Sequence, residues 1–363
     1  MLESRLGISL LPLGAPMTNL MEEIYQQPAA LSGLRKYYSS PGVIPAKALR
    51  KLVSVWPPTV VFTGMGSSLF AAYPAQAYLS SVGIRSVAWE TAELLHHHLK
   101  FLGPDVLLVI VSQSGETVEV LRLLESLPRK IGFVAIANVE QSMLARRAKL
   151  LLPMMAGHQT TVSTKTYTCA VAVLMYLAFA IARKPVPALT LALKEAIEEM
   201  EKLLDRAEVI IPPAAEFFDR PPYLALMARG ADLASAHQGA LMFKEVVRLG
   251  AEGMSAGQFR HGPIEIVNPI HRYIVFARDG KTAPLLTKLA DDIRAYGGRV
   301  VLITDQTFGD ITNVRLVRVA PLPLFLGTLV DSVYIQLLVH ELALRAGLEP
   351  GKFWLATDVT REE

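Results

Sequence analysis

Three apolar runs recur along this chain at a nearly constant offset. Val60-Val-Phe-Thr-Gly-Met-Gly66 matches Leu224-Ala-Leu-Met-Ala-Arg-Gly230 at an offset of 164 residues. Ile110-Val-Ser-Gln-Ser-Gly115 matches Val275-Phe-Ala-Arg-Asp-Gly280 at 165, and Ala135-Ile-Ala-Asn138 matches Leu302-Ile-Thr-Asp305 at 167. Each run is followed by a helix-like stretch, which is the pattern of buried parallel strands joined by crossover helices. The copies are domain-sized, so the repeat predicts two α/β sandwiches and not a solenoid. Right-handed crossovers then cover both faces of each parallel sheet. Between the copies lies an acidic-basic helix at 189–206, followed by Pro212-Pro213 and Pro221-Pro222. The boundary is placed near 205. The expected organisation is an N-terminal helical segment (1–40), a first α/β domain (41–204), a second (205–348) and a C-terminal tail (349–363).

Composition bounds the partners. Over 363 residues, 52% are apolar and 19% charged, enough for two cores and incompatible with general disorder. A net charge of +3 is too weak to predict nucleic acid or an anionic membrane as partner. Mean hydropathy is high, at +0.34. The longest apolar run, 169–182, is nevertheless shorter than the roughly 20 residues a membrane span requires, and reads as a buried helix. The N-terminus carries Glu3, a single early Arg5 and no small-residue cleavage site, so no signal peptide is expected. A single cysteine, Cys169, excludes an intramolecular disulfide and a cysteine-rich zinc site, and fits a reducing, cytoplasmic setting.

The two copies differ in chemistry. Ser112-Gln113-Ser114-Gly-Glu-Thr117 follows a strand of the first copy, and Ser67-Ser68 follows another. Backbone N–H groups at a helix start favour an anion, and short hydroxyls add neutral donors. N-capping accounts for either loop alone; two such loops at the carboxyl edge of one sheet suggest a phosphate seat. The second copy has Ala277-Arg-Asp-Gly280 instead, so only the first should bind phosphate in this way. Ser163 and Thr164 open the long apolar helix as further cap candidates, and Lys165 either pairs with a phosphate or snorkels to solvent.

Acid/base candidates sit in the second copy. The stretch 238–245 reads as a helix, with Glu245 on a different face from the apolar neighbours of Met242, or at its border. His261 precedes Gly-Pro and cannot lie in mid-helix. A carboxylate and an imidazole together suit proton shuttling on a sugar. The run His96-His97-His98 has no Cys, Asp or Glu partner at ligand spacing, so it reads as an exposed or interface turn, and no metal is expected.

Six segments taken together resemble the sugar isomerase (SIS) domain family, most closely the isomerase half of glucosamine-6-phosphate synthase and its stand-alone phosphosugar isomerase and deaminase relatives. They are Met21-Glu-Glu-Ile-Tyr-Gln-Gln-Pro28, Gly64-Met-Gly-Ser-Ser68, Ser112-Gln-Ser-Gly-Glu-Thr117, Ser163-Thr-Lys165, Gly239-Ala-Leu-Met-Phe-Lys-Glu245 and Phe259-Arg-His-Gly-Pro263, in the family's order. The resemblance implies two tandem five-stranded parallel sandwiches. It implies that Ser67, Ser68, Ser112, Gln113, Ser114 and Thr117 hold the phosphate and nearby sugar oxygens, with Ser163 lining the same site. Glu245 matches the family's base for C1–C2 proton transfer. His261 matches its ring-opening histidine, which a neighbouring subunit supplies, so a homodimer with shared sites is implied. No metal or redox cofactor is implied.

Four departures stand out. Thr357 occupies the position of the synthase's tail lysine, Met242 that of a second lysine, and Gln238 that of a glutamate. The loop before Ser163 is one residue shorter than in the family, and Lys352 is the nearest basic residue before Thr357. No glutaminase domain is read on this chain, so glutamine-dependent transamidation is not expected. The implied activity is aldose–ketose interconversion of a hexose or amino-hexose 6-phosphate. Its rivals are deamination or deglycation of an amino-sugar phosphate, and a sensor that binds sugar phosphates without turning them over.

Overall fold

The computed structural model describes residues 18–128, 130–278, 280–306, 312–355 and 360. The first sheet is built from β1 (Thr59–Gly64), β2 (Ser86–Glu90), β3 (Val106–Val111), β4 (Phe133–Ala137) and β5 (Leu150–Pro153), in the order β2-β1-β3-β4-β5. The second comprises β6 (Leu224–Ala228), β7 (Ala251–Ser255), β8 (Arg272–Ala277), β9 (Arg299–Thr304) and β10 (Val314–Arg318), in the order β10-β9-β8-β6-β7. Every neighbouring pair is parallel. Read in chain order the two sheets have one topology, as the repeat in the sequence requires.

Alternation along the strands shows where each face packs. In β1 and β3, Val60, Phe62, Leu107 and Val109 join one large core, while Val61, Leu108 and Ile110 join a smaller outer one. In the second sheet Leu224, Leu226 and Ile274 join the same large core, and Ala225, Met227 and Val275 form a third cluster. The two sandwiches therefore share a central helical layer. At its middle runs the helix Lys165–Ile181, buried along nearly its whole length. Among the described residues no helix is long and apolar enough to cross a membrane. The apolar run at 169–182 is a core helix with sheet packing around it.

Polar contacts pin this layer together. Gln27, on the N-terminal helix Gln27–Tyr38, donates to Gln336 Oε1 at 2.7 Å and accepts from Thr168 Oγ1 at 3.2 Å. Those partners lie on the helix Gly327–Arg345 and on the buried helix. The Tyr167 and Thr328 hydroxyls meet at 3.0 Å between the same two helices. Buried polar groups of this kind must be mutually satisfied, so they fix one packing among several apolar alternatives.

Pro212-Pro213 lie inside the helix Ala207–Phe218. This helix follows the helix Val186–Asp205 directly, with Arg206 between them. Ile211, Ala214 and Ala215 are buried in the shared core, and that packing outweighs the missing N–H groups.

Leu174 is fully buried at the middle of the shared layer. Leu174→Ala is expected to cost about 2–5 kcal/mol through lost transfer energy and a residual cavity. Urea unfolding should show this as a lower midpoint with an unchanged slope.

Candidate active site

In both sheets the chain runs from the first strand to one edge and then crosses to the other side. Between β1 and β3 this opens a crevice at the carboxyl ends of the strands, where open α/β sheets bind ligands. A cavity of about 360 Å³ lies there. It is lined by Ser67 and Ser68 after β1, by Ser112, Gln113, Ser114 and Thr117 after β3, by Ser163, and by Leu241 and Glu245 from the second half of the chain. His261 is not among them. It ends the short helix Ala256–Arg260 and is exposed.

Local hydrogen bonds shape the hydroxyl loop. Ser112 Oγ accepts from Gly115 N at 3.1 Å and Ser114 Oγ accepts from Glu116 N at 3.2 Å. Each hydroxyl thereby keeps its own proton to donate. Thr117 holds the N-cap position of the helix Val118–Ser126 without capping it, and its Oγ1 is buried with no partner. Gly115 has φ +66°, and a Cβ there would collide with Ser142 Oγ, so the tight turn requires glycine. Thr360 of the tail also lines the cavity, and its carbonyl accepts from Val118 N at 3.1 Å. Among the described lining residues there is no lysine or arginine. An anion here would be held by hydroxyls and backbone N–H groups.

The loop before the buried helix is organised by Gln159, a residue the sequence reading did not single out. Its Oε1 accepts from the backbone N–H and hydroxyl of both Thr164 and Thr166, at 3.0–3.3 Å. Thr164 therefore occupies the N-cap position while its hydroxyl serves Gln159. Ser163 Oγ lies 3.0 Å from Thr166 Oγ1. Buried Glu23 holds the other end, accepting from Thr160 N at 2.5 Å and from the Thr161 hydroxyl. Lys165 turns away from the hydroxyl cavity and donates to Gln26 Oε1 at 2.5 Å.

Glu245 departs from the regular helix expected over 238–245. The α-helix Leu233–Met242 passes into a π-helical turn, Phe243–Val247, closed by Arg248 in the left-handed region. The turn buries Phe243 and Val246 and leaves Leu241 and Glu245 together on the cavity wall. Such turns inside α-helices often mark functional positions. Burial pushes the Glu245 carboxyl up to about 7, with neighbouring Lys244 pulling the other way, and its Oε2 has no hydrogen-bond partner. Glu245 also lines a second cavity of about 380 Å³, shared with Lys244, Arg248 and the tail residues Phe353–Leu355. There the Arg248 guanidinium stacks 4.8 Å over the Trp354 ring.

The departures noted in the sequence can now be placed. Met242 is buried in the shared core and does not line the cavity. Gln238 is buried and donates to the Ser163 carbonyl at 3.4 Å. Lys352 pairs with Glu349 at 2.7 Å and lines neither cavity, so it does not reach the site. Thr357 lies outside the described residues, as does the N-terminal stretch before Thr18.

The equivalent edge of the second sheet is filled. Arg278, following β8, is buried and paired with Asp331, which also accepts from Ser235 Oγ at 2.7 Å. Asp232 faces the same guanidinium. Gly327 packs against Arg278 so closely that a Cβ would collide with its side chain. The histidine run 96–98 ends the π-helical segment Leu94–His98 and is partly exposed, with His98 stacked 4.5 Å from Trp89. Among the described residues no cluster fit for a metal occurs.

The fold is a tandem of two parallel α/β sandwiches with one open crevice. The chain belongs to the SIS domain family, whose profile matches residues 55–182 and 219–345. It is similar to glutamine–fructose-6-phosphate aminotransferase (isomerizing) from Bartonella quintana, 27% identical over 94% of this chain and 58% of that protein. The same enzyme of Neisseria meningitidis is 28% identical over 96% of this chain and 59% of its own. The chain thus spans under two thirds of the length of these relatives. Among solved structures, the C-terminal domain of the Francisella tularensis aminotransferase aligns with TM-score 0.80 at 20% identity, covering 93% of this chain and 99% of that one. The Escherichia coli tagatose-6-phosphate ketose/aldose isomerase aligns at 0.75 and 19%, covering 93% and 96%. Glucosamine-6-phosphate deaminase from Thermotoga maritima aligns at 0.73 and 20%, covering 95% and 100%.

The raised Glu245 carboxyl makes a stability prediction. Folded chain binds this proton more tightly than unfolded chain, so stability falls as pH rises from 4.5 to about 7. Glu245→Gln removes that slope. Relative to the natural chain it should gain on the order of 2–3 kcal/mol between pH 4.5 and pH 8. Urea unfolding of both chains across that range measures the gap.

Proposed function

We propose that this chain is a phosphosugar isomerase acting on a hexose or amino-hexose 6-phosphate. The observation that carries the reading is Glu245. It is a desolvated carboxyl poised near neutrality, with a free oxygen, in the same cavity as an array of neutral donors suited to a phosphate. The activities for which the structural relatives are named, ketose/aldose isomerase and deaminase, support the same class of chemistry.

In this reading the hydroxyls of Ser67, Ser68, Ser112, Ser114 and Thr117, with Gln113 and the N-terminus of the helix Val118–Ser126, anchor the phosphate. Anchoring one end turns proton transfer at the other into an intramolecular event. Glu245 removes the C2 proton of the aldose as O1 takes up a proton, giving the enediol, and returns a proton to C1 as O2 gives its proton up and the ketose forms. A carboxyl titrating near 7 suits both halves of that transfer. His261 would open the sugar ring from the neighbouring protomer of a homodimer, consistent with its exposure in the single chain. Neither a metal, a redox cofactor, a membrane nor nucleic acid enters this scheme.

A second reading, deamination or deglycation of an amino-sugar phosphate, is favoured by the second cavity beside Glu245. That cavity gives room for a group carried on the sugar's nitrogen, and its Lys244 and Arg248 suit an acidic one. Incubation of hexose and amino-hexose 6-phosphates in deuterated water distinguishes the readings. Isomerisation exchanges C1 and C2 protons and conserves the sugar's heteroatoms, deamination also releases an amine, and a sensor shows binding without exchange.

Two outcomes are expected. Glu245→Gln keeps the shape but not the base, so C2 proton exchange should drop by about 10²–10⁴-fold while the sugar phosphate still binds; near-normal exchange rules Glu245 out. Inactive Glu245→Gln and His261→Ala chains, mixed and fully exchanged, should recover roughly a quarter of the wild-type activity under random two-fold pairing. No recovery, with subunit exchange verified by mass spectrometry, sinks the shared site.

A further inference from the structure

A third cavity, about 470 Å³ in volume, shares no lining residue with the candidate active site. It lies between the free edge strand β10, the paired helices Val186–Asp205 and Ala207–Phe218, and the helix Gly327–Arg345. Its volume falls within the range of small-molecule sites. Three arginines line it: Arg206 from the helix junction, and Arg315 and Arg318 from β10. Lys202 at the rim is neutralised by Glu199 at 2.5 Å. Arg206 and Arg315 have no ion-pair partner among the described residues.

Charged residues on an edge strand commonly serve to prevent sheet-to-sheet pairing. That accounts for Arg315 and Arg318. It does not account for Arg206, more than a hundred residues away in sequence and lining the same space. Nor does it account for Tyr334. This residue is 1% exposed, lines the cavity, and its hydroxyl has no hydrogen-bond partner. An unsatisfied buried hydroxyl is uncommon and asks for a partner. Leu203, Ile210 and Val330 give the remaining wall an apolar surface.

We propose that this cavity is a second ligand site, for an organic phosphate whose anionic end meets Arg206 and Arg315 and whose apolar body rests on Ile210 and Val330. Guanidinium groups match phosphate oxygens in geometry as well as charge. The site is independent of the reaction assigned to Glu245 and stands or falls separately from it.

Phenyl phosphate is a suitable probe, because it combines the anion with an apolar ring and carries no sugar. The Ile210 methyl group is a reporter inside the cavity, assigned in a methyl NMR spectrum of the full chain through Ile210→Val. Titration with phenyl phosphate should shift this resonance saturably, with weaker binding at higher salt. Arg206→Gln combined with Arg315→Gln should weaken binding by at least about tenfold, since each loses a charge-assisted hydrogen bond. Inorganic phosphate should bind more weakly than phenyl phosphate, having no apolar body. Absence of a saturable shift at millimolar probe overturns the proposal, and so does a shift that persists unchanged in the double variant. Arg206 is exposed and Arg315 half-buried. A thermal melt confirms that the variant is folded, and the conservative single variant Arg315→Lys, which keeps charge without the fork, should give an intermediate affinity.

Discussion

Everything in this molecule depends on two parallel sheets needing cover on both faces. A parallel strand has to be reached by a crossover, so every strand's carboxyl end opens onto the same edge of its sheet. Two sheets of about five strands would each need two helical layers. Here the inner faces are covered by one shared layer, and Val60, Phe62, Leu107, Leu224, Leu226 and Ile274 all contribute to a single core. Sharing the layer brings the carboxyl edge of the first sheet against helices of the second half. That is how Glu245, more than a hundred residues from Ser112 in sequence, comes to line the same cavity.

The two carboxyl edges have diverged by a change in what fills them. After β3, small hydroxyl residues and Gly115 leave space and donors, and the space is maintained by bonds from Gln159 and Glu23 in the surrounding loops. After β8, Arg278 fills the equivalent space and is fixed by Asp331. A buried ion pair of this kind is expensive to break but adds little over apolar packing. It serves to close one copy of a duplicated crevice while the other stays open. Electrostatics follow the same division. The open edge has no cationic side chain among its described lining residues, so an anion meets only neutral donors, and the Glu245 carboxyl opposite is held near neutrality by desolvation.

Much of this was legible in the residues. The central strands β1, β3, β4, β6, β8 and β9 are continuous apolar runs, because both faces of a central parallel strand are buried. The edge strands were not legible. Ser86–Glu90 is only half-buried throughout and Ala251–Ser255 carries glutamate and serine, so neither has an apolar run to see. The hydroxyl loops stood out because Ser-rich turns after strands are local features. The support beneath them did not: Glu23 acts across 137 residues of sequence, in its bond from Thr160, and the bonds Gln159 makes to Thr164 and Thr166 depend on a loop conformation that no local pattern announces. The π-helical turn at Phe243–Val247 was equally invisible, for the apolar pattern of 238–245 fits a regular helix as well.

By itself the sequence determined the duplication, the parallel α/β class, the hydroxyl-rich loops and a candidate carboxylate. These follow from local patterning, because strand burial and turn chemistry are set by residues close together in the chain. Only the tertiary structure decided which of those residues meet. It turned Lys165 away to Gln26, kept Met242 in the core and Lys352 at the surface, and left His261 exposed and outside the cavity. It also set Glu245 at the neck between two cavities and raised its affinity for a proton. The reason is physical: burial and desolvation are properties of the packed whole, and no stretch of chain carries them alone.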